Sequence, residues 1–170
     1  MPRARGGRAA RSALRRRDPR HAQRRAGARA DGTGPALTAD TSAVVAALSG
    51  WHEQHDAAAE ALEGVAALPA HAVLEAYSVL TRLPGGLAVP APTAAAVLAD
   101  RFDGRLLNLA PTKRAQVLRT LSAAGVFAGA AYDGLVALEA AAHDRVLLTL
   151  DQRAMATYQR LGVPFRLIAG

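Results

Sequence analysis

Five short apolar runs, ALTA at 36–39, VAAL at 65–68, LLNL at 106–109, VLLTL at 146–150 and FRLI at 165–168, are separated by longer segments whose apolar residues recur at helical spacing. Strands that alternate with helices pair side by side through crossover connections, so this order implies a parallel sheet covered by helices, an α/β sandwich. The spacing predicts helices over 41–48, 52–64, 71–83, 93–102, 112–124, 132–143 and 152–161. The hydroxyl of Thr41 or Ser42 suits the cap of the first helix, Gly85 and Gly86 stop the third, and Gly125 closes the fifth. The run at 146–150 is the clearest buried strand, because it is apolar and β-branched at both pleat positions.

Composition narrows the chemistry. The chain has 170 residues, enough for one core, with 42 alanines and 4% aromatic residues. That predicts a helix-rich interior of small side chains and no broad aromatic platform. There is no cysteine, which excludes disulfide scaffolds, thiolate zinc sites and thiol nucleophiles and leaves oxygen and imidazole chemistry. No apolar run reaches the roughly 18 residues of a membrane span, and the first residues lack the apolar core of a secretory signal, so a cytoplasmic protein is the expectation.

The net charge of +7 is unevenly spread. Residues 1–34 carry eleven arginines against Asp18 and Asp31, whereas residues 35–170 carry ten basic against twelve acidic residues. The expected organisation is therefore an arginine-rich tail over 1–34, with too few apolar residues to form a core, followed by a mildly acidic domain over 35–170. A start codon placed too early in a gene biased toward Arg, Ala and Gly accounts for the tail. The alternatives are an arm that adds salt-dependent, sequence-blind affinity for nucleic acid and a targeting peptide, which is arginine-rich but normally richer in serine.

In open parallel sheets ligands bind beyond the carboxyl ends of the strands, so acids that directly follow apolar runs carry the most information. Asp40 and Asp151 stand there. Glu75 falls in the helix after the second strand, and Asp133 in the first turn of the helix before the fourth. All four have apolar or small neighbours, and a carboxylate in such a setting must be paired, protonated or metal-bound. A cluster of carboxylate oxygens suits Mg²⁺ or Mn²⁺ and not zinc, which favours histidine or cysteine. Each acid also has a plainer reading. Asp40 can be only a helix cap, Asp133 can serve the helix dipole, and Glu75 can be a solvated helix residue. His52 and His55, three apart, could share a metal, but a solvated helix face is the simpler account of both.

The segments LTADTS at 37–42, LEAYSVLTRL at 74–83, AYDGLVALEAAAH at 131–143 and LTLDQR at 148–153 together resemble the PIN-domain family. The resemblance covers essentially all of residues 36–168 in the family's order, and its nearest subgroup is the VapC-type toxins of bacterial toxin–antitoxin pairs. It implies a three-layer PIN-like sandwich with a short central parallel sheet, and a Mg²⁺- or Mn²⁺-dependent endoribonuclease. It maps the metal-holding acidic quartet onto Asp40, Glu75, Asp133 and Asp151. In the same resemblance Ser42 and Thr149 orient the acids or their ligand waters. Arg82 and Arg153 steady the site or meet phosphate, unless they are ordinary surface charges. The partners implied are structured RNA such as transfer or ribosomal RNA, a VapB-type antitoxin and a second copy in a homodimer. Tyr77, Leu80, Leu83 and the 93–107 region could offer apolar surface to such a partner, ordinary core being the alternative.

Three features depart from the family pattern. Gly134 stands where a small apolar residue is commoner and Leu150 where a polar or basic one is common, both with a possible effect on substrate contact. The arginine tail has no family counterpart. A reading from another class is a non-catalytic PIN-like module that associates with RNA or DNA through that tail.

Overall fold

In the computed structural model the described residues are 35–102 and 105–169. The expectations for residues 1–34 lie outside them. The elements run β1 (Leu37–Ala39), α1 (Thr41–Leu48), α2 (His55–Glu63), β2 (Leu68–Pro69), α3 (Ala70–Thr81), α4 (Ala91–Phe102), β3 (Leu106–Leu107), α5 (Pro111–Arg114), α6 (Val117–Ala123), α7 (Ala130–Ala141), β4 (Val146–Thr149), α8 (Gln152–Arg160) and β5 (Phe165–Leu167). Every strand pairing is parallel, with β4 between β1 and β5, and β2 beside β3.

The two sheet sections meet at an isolated bridge between Leu37 and Val65, and Thr38 Oγ1 donates to Ala67 O at 2.8 Å. The expected continuous sheet is thus pinched between β1 and β2. Pro69 ends β2 and has no N–H to extend a ladder, and a side-chain hydroxyl takes the carbonyl of Ala67.

The pleat of β4 explains the layering. Leu148 packs into a core with Val44, Leu62, Leu80, Leu98 and Phe102, whereas Leu147 faces a second core with Val136, Ala140 and Tyr158. Successive residues of a strand point to opposite faces, so α1–α4 cover one side and α7 and α8 the other. The three-layer α/β sandwich is the fold expected from the sequence. Leu80 is core, and Tyr77 and Leu83 pack partly buried against it, while Tyr77 also lines an open apolar hollow with Leu98 and Leu106, so the ordinary-core reading holds for Leu80.

Local differences from expectation have local causes. The helix expected over 112–124 is divided, because Gln116 N–H reaches back three residues to Lys113 O, a 3₁₀ step between α5 and α6. Residues 52–54 form the turn before α2 and not its first residues. Gly134 has a packing role: a Cβ there would lie 2.5 Å from Leu121 Cδ2, so any larger residue would push the end of that leucine aside between α6 and α7.

Candidate active site

Parallel pairing in register brings the carboxyl ends of β1 and β4 together, with Ala39 opposite Leu148 and Asp40 N–H donating to Leu148 O at 2.9 Å. Asp40 and Asp151 therefore leave adjacent strand ends and each caps the helix that follows. Asp40 Oδ1 accepts from Ala43 N–H at 3.1 Å and from Ser42 Oγ at 2.6 Å. Asp151 Oδ1 accepts from Arg153 N–H at 2.8 Å. The capping role that competed with a functional role for Asp40 is real, and it leaves the other carboxylate oxygen free for other work.

That second oxygen, Oδ2, accepts from Tyr158 OH at 2.9 Å. Tyr158 is fully buried on α8, with its ring against Phe165. Ser42 Oγ also accepts from Leu150 N–H at 2.9 Å, tying the end of β4 to the acid of β1, and Thr149 Oγ1 accepts from Asp151 N–H at 2.9 Å. Glu75 reaches the same place from α3, where Thr41 Oγ1 donates to its Oε2 at 2.6 Å. Asp133 projects from the first turn of α7.

One cavity of about 490 Å³ is lined by Asp40, Glu75, Asp133 and Asp151, together with Ser42, Leu150, His52 and Arg153. The structure thus brings together all four sequence-selected acids, with Arg153 and Ser42 on the wall and Thr149 buried behind it. Arg82 is not there. It caps the far end of α3 and lines the adjoining hollow instead. His52 and His55 do not form a ligand pair, since His55 Nδ1 faces Ala46 O at 3.0 Å while His52 alone reaches the cavity. Gln54 N–H donates to His52 Nδ1 at 3.1 Å, which leaves Nε2 as the protonated nitrogen of the neutral ring.

The electrostatics are those of crowded like charges. Burial pushes the Asp133 carboxyl up to about 6, and the charges of Glu75, Asp151 and Asp40 push in the same direction. Burial also raises Asp40, opposed by its hydrogen bonds from Ser42, Thr149, Ala43 and Tyr158. Among the described residues the ion pair present is Arg114 with Glu139, at 3.4 Å and away from this cavity. None of the four acids has a cation against it there.

Hard, anionic oxygens without a protein cation are the donor type that Mg²⁺ or Mn²⁺ takes, usually while keeping several waters. Among the described residues no three His, Asp or Glu side chains converge into a ready chelate. The fit is therefore one of charge and donor chemistry, and Asp40, Glu75, Asp133 and Asp151 are the residues that would hold such an ion.

Tyr158 is the residue that reading the sequence did not select, and His52 one that it set aside as part of a solvated helix face although it lines the cavity. The available signal for Tyr158 was a lone tyrosine on the apolar face of α8 beside Ala154 and Thr157. A phenol on such a face needs a partner for its OH. Replacing Tyr158 by Phe is expected to weaken divalent-ion binding roughly 10–100-fold, as for other groups that orient a ligand. Isothermal titration with Mn²⁺ checks this, and an unchanged affinity would mean the phenol serves only packing.

An α/β sandwich with acids at adjacent carboxyl ends of its parallel strands is a PIN-type architecture. The PIN domain model matches residues 38–160, and the chain belongs to the PIN-domain family. Within the family it is similar to Ribonuclease VapC40 of Mycobacterium tuberculosis, 41% identical over 132 residues, which span 78% of this chain and 98% of that protein. It is also similar to Ribonuclease VapC27 of the same species, 42% identical over 130 residues, 76% of this chain and 94% of that one. The VapC-type resemblance read from the four sequence segments is borne out.

Proposed function

We propose that this protein is a Mg²⁺-dependent endoribonuclease, with Mn²⁺ as a competent substitute, that hydrolyses phosphodiester bonds of structured RNA such as transfer or ribosomal RNA. The observation that carries the proposal is the convergence of Asp40, Glu75, Asp133 and Asp151 on one cavity with no cation against them among the described residues. Gathering like charges costs stability, and a site that does so is built for something that compensates them. The similarity to two named ribonucleases over nearly their whole length supports RNA as the substrate.

In this reading a divalent ion held by the acids supplies an activated water and neutralises charge on the phosphoryl oxygens. The chain's own groups do the positioning. Ser42, Ala43 N–H and Tyr158 fix both oxygens of Asp40, and Thr41 fixes Glu75. Arg153 on the cavity wall offers a planar pair of donors to a phosphate, and His52 Nε2–H a third.

The VapC-type kinship supports a toxin role, with a VapB-type antitoxin and a second copy of the chain as partners and the cytoplasm, where the RNA targets are, as the place of action. No helix of the described residues is long and apolar enough to cross a membrane. The test is incubation of the purified chain with transfer and ribosomal RNA, with Mg²⁺ or with EDTA. Discrete products with Mg²⁺ and none with EDTA are expected. Intact RNA in the presence of folded, Mg²⁺-supplied protein would overturn the catalytic reading in favour of a binding module.

A further inference from the structure

Beside the acid cavity lies a second open hollow of about 600 Å³, and Glu75 lines both. Its floor is one stripe of α3. His71, Glu75, Ser78 and Arg82 follow at spacings of four, three and four, so they share a face over about three turns. The opposite wall is Tyr132, the residue directly before Asp133 on α7. A step of about 100° around that helix sends the carboxylate into the acid cavity and the phenol ring toward α3.

Tyr132 stacks on His71 with ring planes 4° apart and centroids 5.5 Å apart, and it remains 58% exposed. In a chain with few aromatic residues this ring presents a stiffened, supported face to solvent next to the acids. A supported aromatic face with an arginine across the same hollow matches the pairing of base stacking and phosphate binding that proteins use for single-stranded nucleic acid.

Resting on the ribonuclease reading, we propose that the hollow between α3 and Tyr132 is a nucleotide subsite. It takes one unstacked base on Tyr132 and an adjoining phosphate on Arg82, while the scissile phosphate lies across Glu75 in the acid cavity. A base can stack on the ring only if it has left its own helix, so the substrate segment at this subsite is single-stranded and not a stem. Arg82 favours an anionic occupant over a basic peptide segment. This gives Arg82 a role that its distance from the acid cavity denies it there.

The test uses the full chain in EDTA with a single-stranded RNA pentanucleotide containing 2-aminopurine, whose fluorescence falls on stacking. It is run at 0.3 M salt, about a Debye length of 6 Å, to suppress sequence-blind attraction to the arginines of 1–34. Quenching is expected with the native chain and with Tyr132→Phe. In Tyr132→Ala and Tyr132→Leu it should be lost, with Kd raised about 5- to 150-fold at unchanged Tm. Arg82→Ala should lower the slope of log affinity against log salt by about 0.7.

Equal quenching and Kd in the native chain and both aromatic-deleted variants would overturn the subsite. So would a basic peptide whose binding depends on Tyr132 where the RNA's does not. A chain that stacks the base through Tyr132 yet cleaves nothing with Mg²⁺ would refute the ribonuclease reading alone. Mg²⁺-dependent cleavage with a KM indifferent to Tyr132→Ala would refute the subsite alone.

Discussion

Asp40→Asn is expected to cut Mg²⁺-dependent RNA cleavage by at least 10²–10³-fold, on the order of the loss seen when one electrostatic group of an active site is removed, while the fold becomes no less stable. The two halves of this result have one cause. Asp40 is almost fully buried, and burial raises its carboxyl because the charged form is the costly one. An asparagine has nearly the same shape, and its oxygen can still accept from Ser42 Oγ and Ala43 N–H. The new amide can donate to the oxygen of Tyr158 only if the phenol O–H turns away from it, so one hydrogen bond is given up and is set against the cost of burying the charge, which is relieved. What disappears is the negative charge, the property a divalent ion needs. Thermal unfolding should therefore give a Tm equal to or above that of the native chain, alongside lost cleavage and lost Mn²⁺ binding. Asp40→Ala is the contrast, because it leaves the donors of Ser42, Ala43 and Tyr158 unanswered and should cost about 1–3 kcal/mol of stability. Cleavage that survives Asp40→Asn would remove the acid cavity from the mechanism.

Much of this site was legible because its geometry is local to strand ends. Asp40 and Asp151 each end an apolar run whose period fixes it as a strand, and parallel pairing then places both at one edge. Glu75 and Asp133 lie mid-helix or at a helix start, where spacing alone cannot give direction, and it was their order along the chain, matched to a family pattern, that joined them to the other two. Arg82 shows the limit of that inference. It shares a helix face with Glu75 but sits about two turns along α3, roughly 10 Å away, and so opens onto the next hollow. Tyr158 stands 118 residues from Asp40. Only the packing of α8 behind β1 and β4 brings them together, and no pattern in the chain encodes that crossing. The pinched sheet was hidden in a similar way. VAAL reads as a strand by composition, yet Pro69 and the Thr38 hydroxyl decide how much of it pairs.

Raising pH from about 4 to 7 without divalent ions is expected to lower the stability of this protein, and Mg²⁺ should reverse that trend. Asp133 titrates near 6 in the folded chain against 3.8 for the free side chain. The folded state therefore holds its proton over a range where the unfolded state has released it. A raised carboxyl contributes stability that is full below the unfolded value and is lost as pH climbs through the folded one. The contribution lost is about 1 kcal/mol once the half of the group that faces water is allowed for. Mg²⁺ binds only the deprotonated carboxylates, so its stabilising effect should be small at pH 5 and grow through pH 6 to 7.5. Two series of Tm values across this range, one with EDTA and one with 10 mM MgCl₂, should diverge above pH 6, and cleavage should rise over the same interval. Series that stay parallel would show that the four carboxylates bind no divalent ion in the folded chain, and would leave their convergence on one cavity without a catalytic meaning. In Asp133→Asn the EDTA series should flatten, because the group whose proton the folded state retains is gone. A slope that persists in that variant would assign it to a different carboxyl, with Asp40 and Glu139 the ones to examine next, since burial raises both.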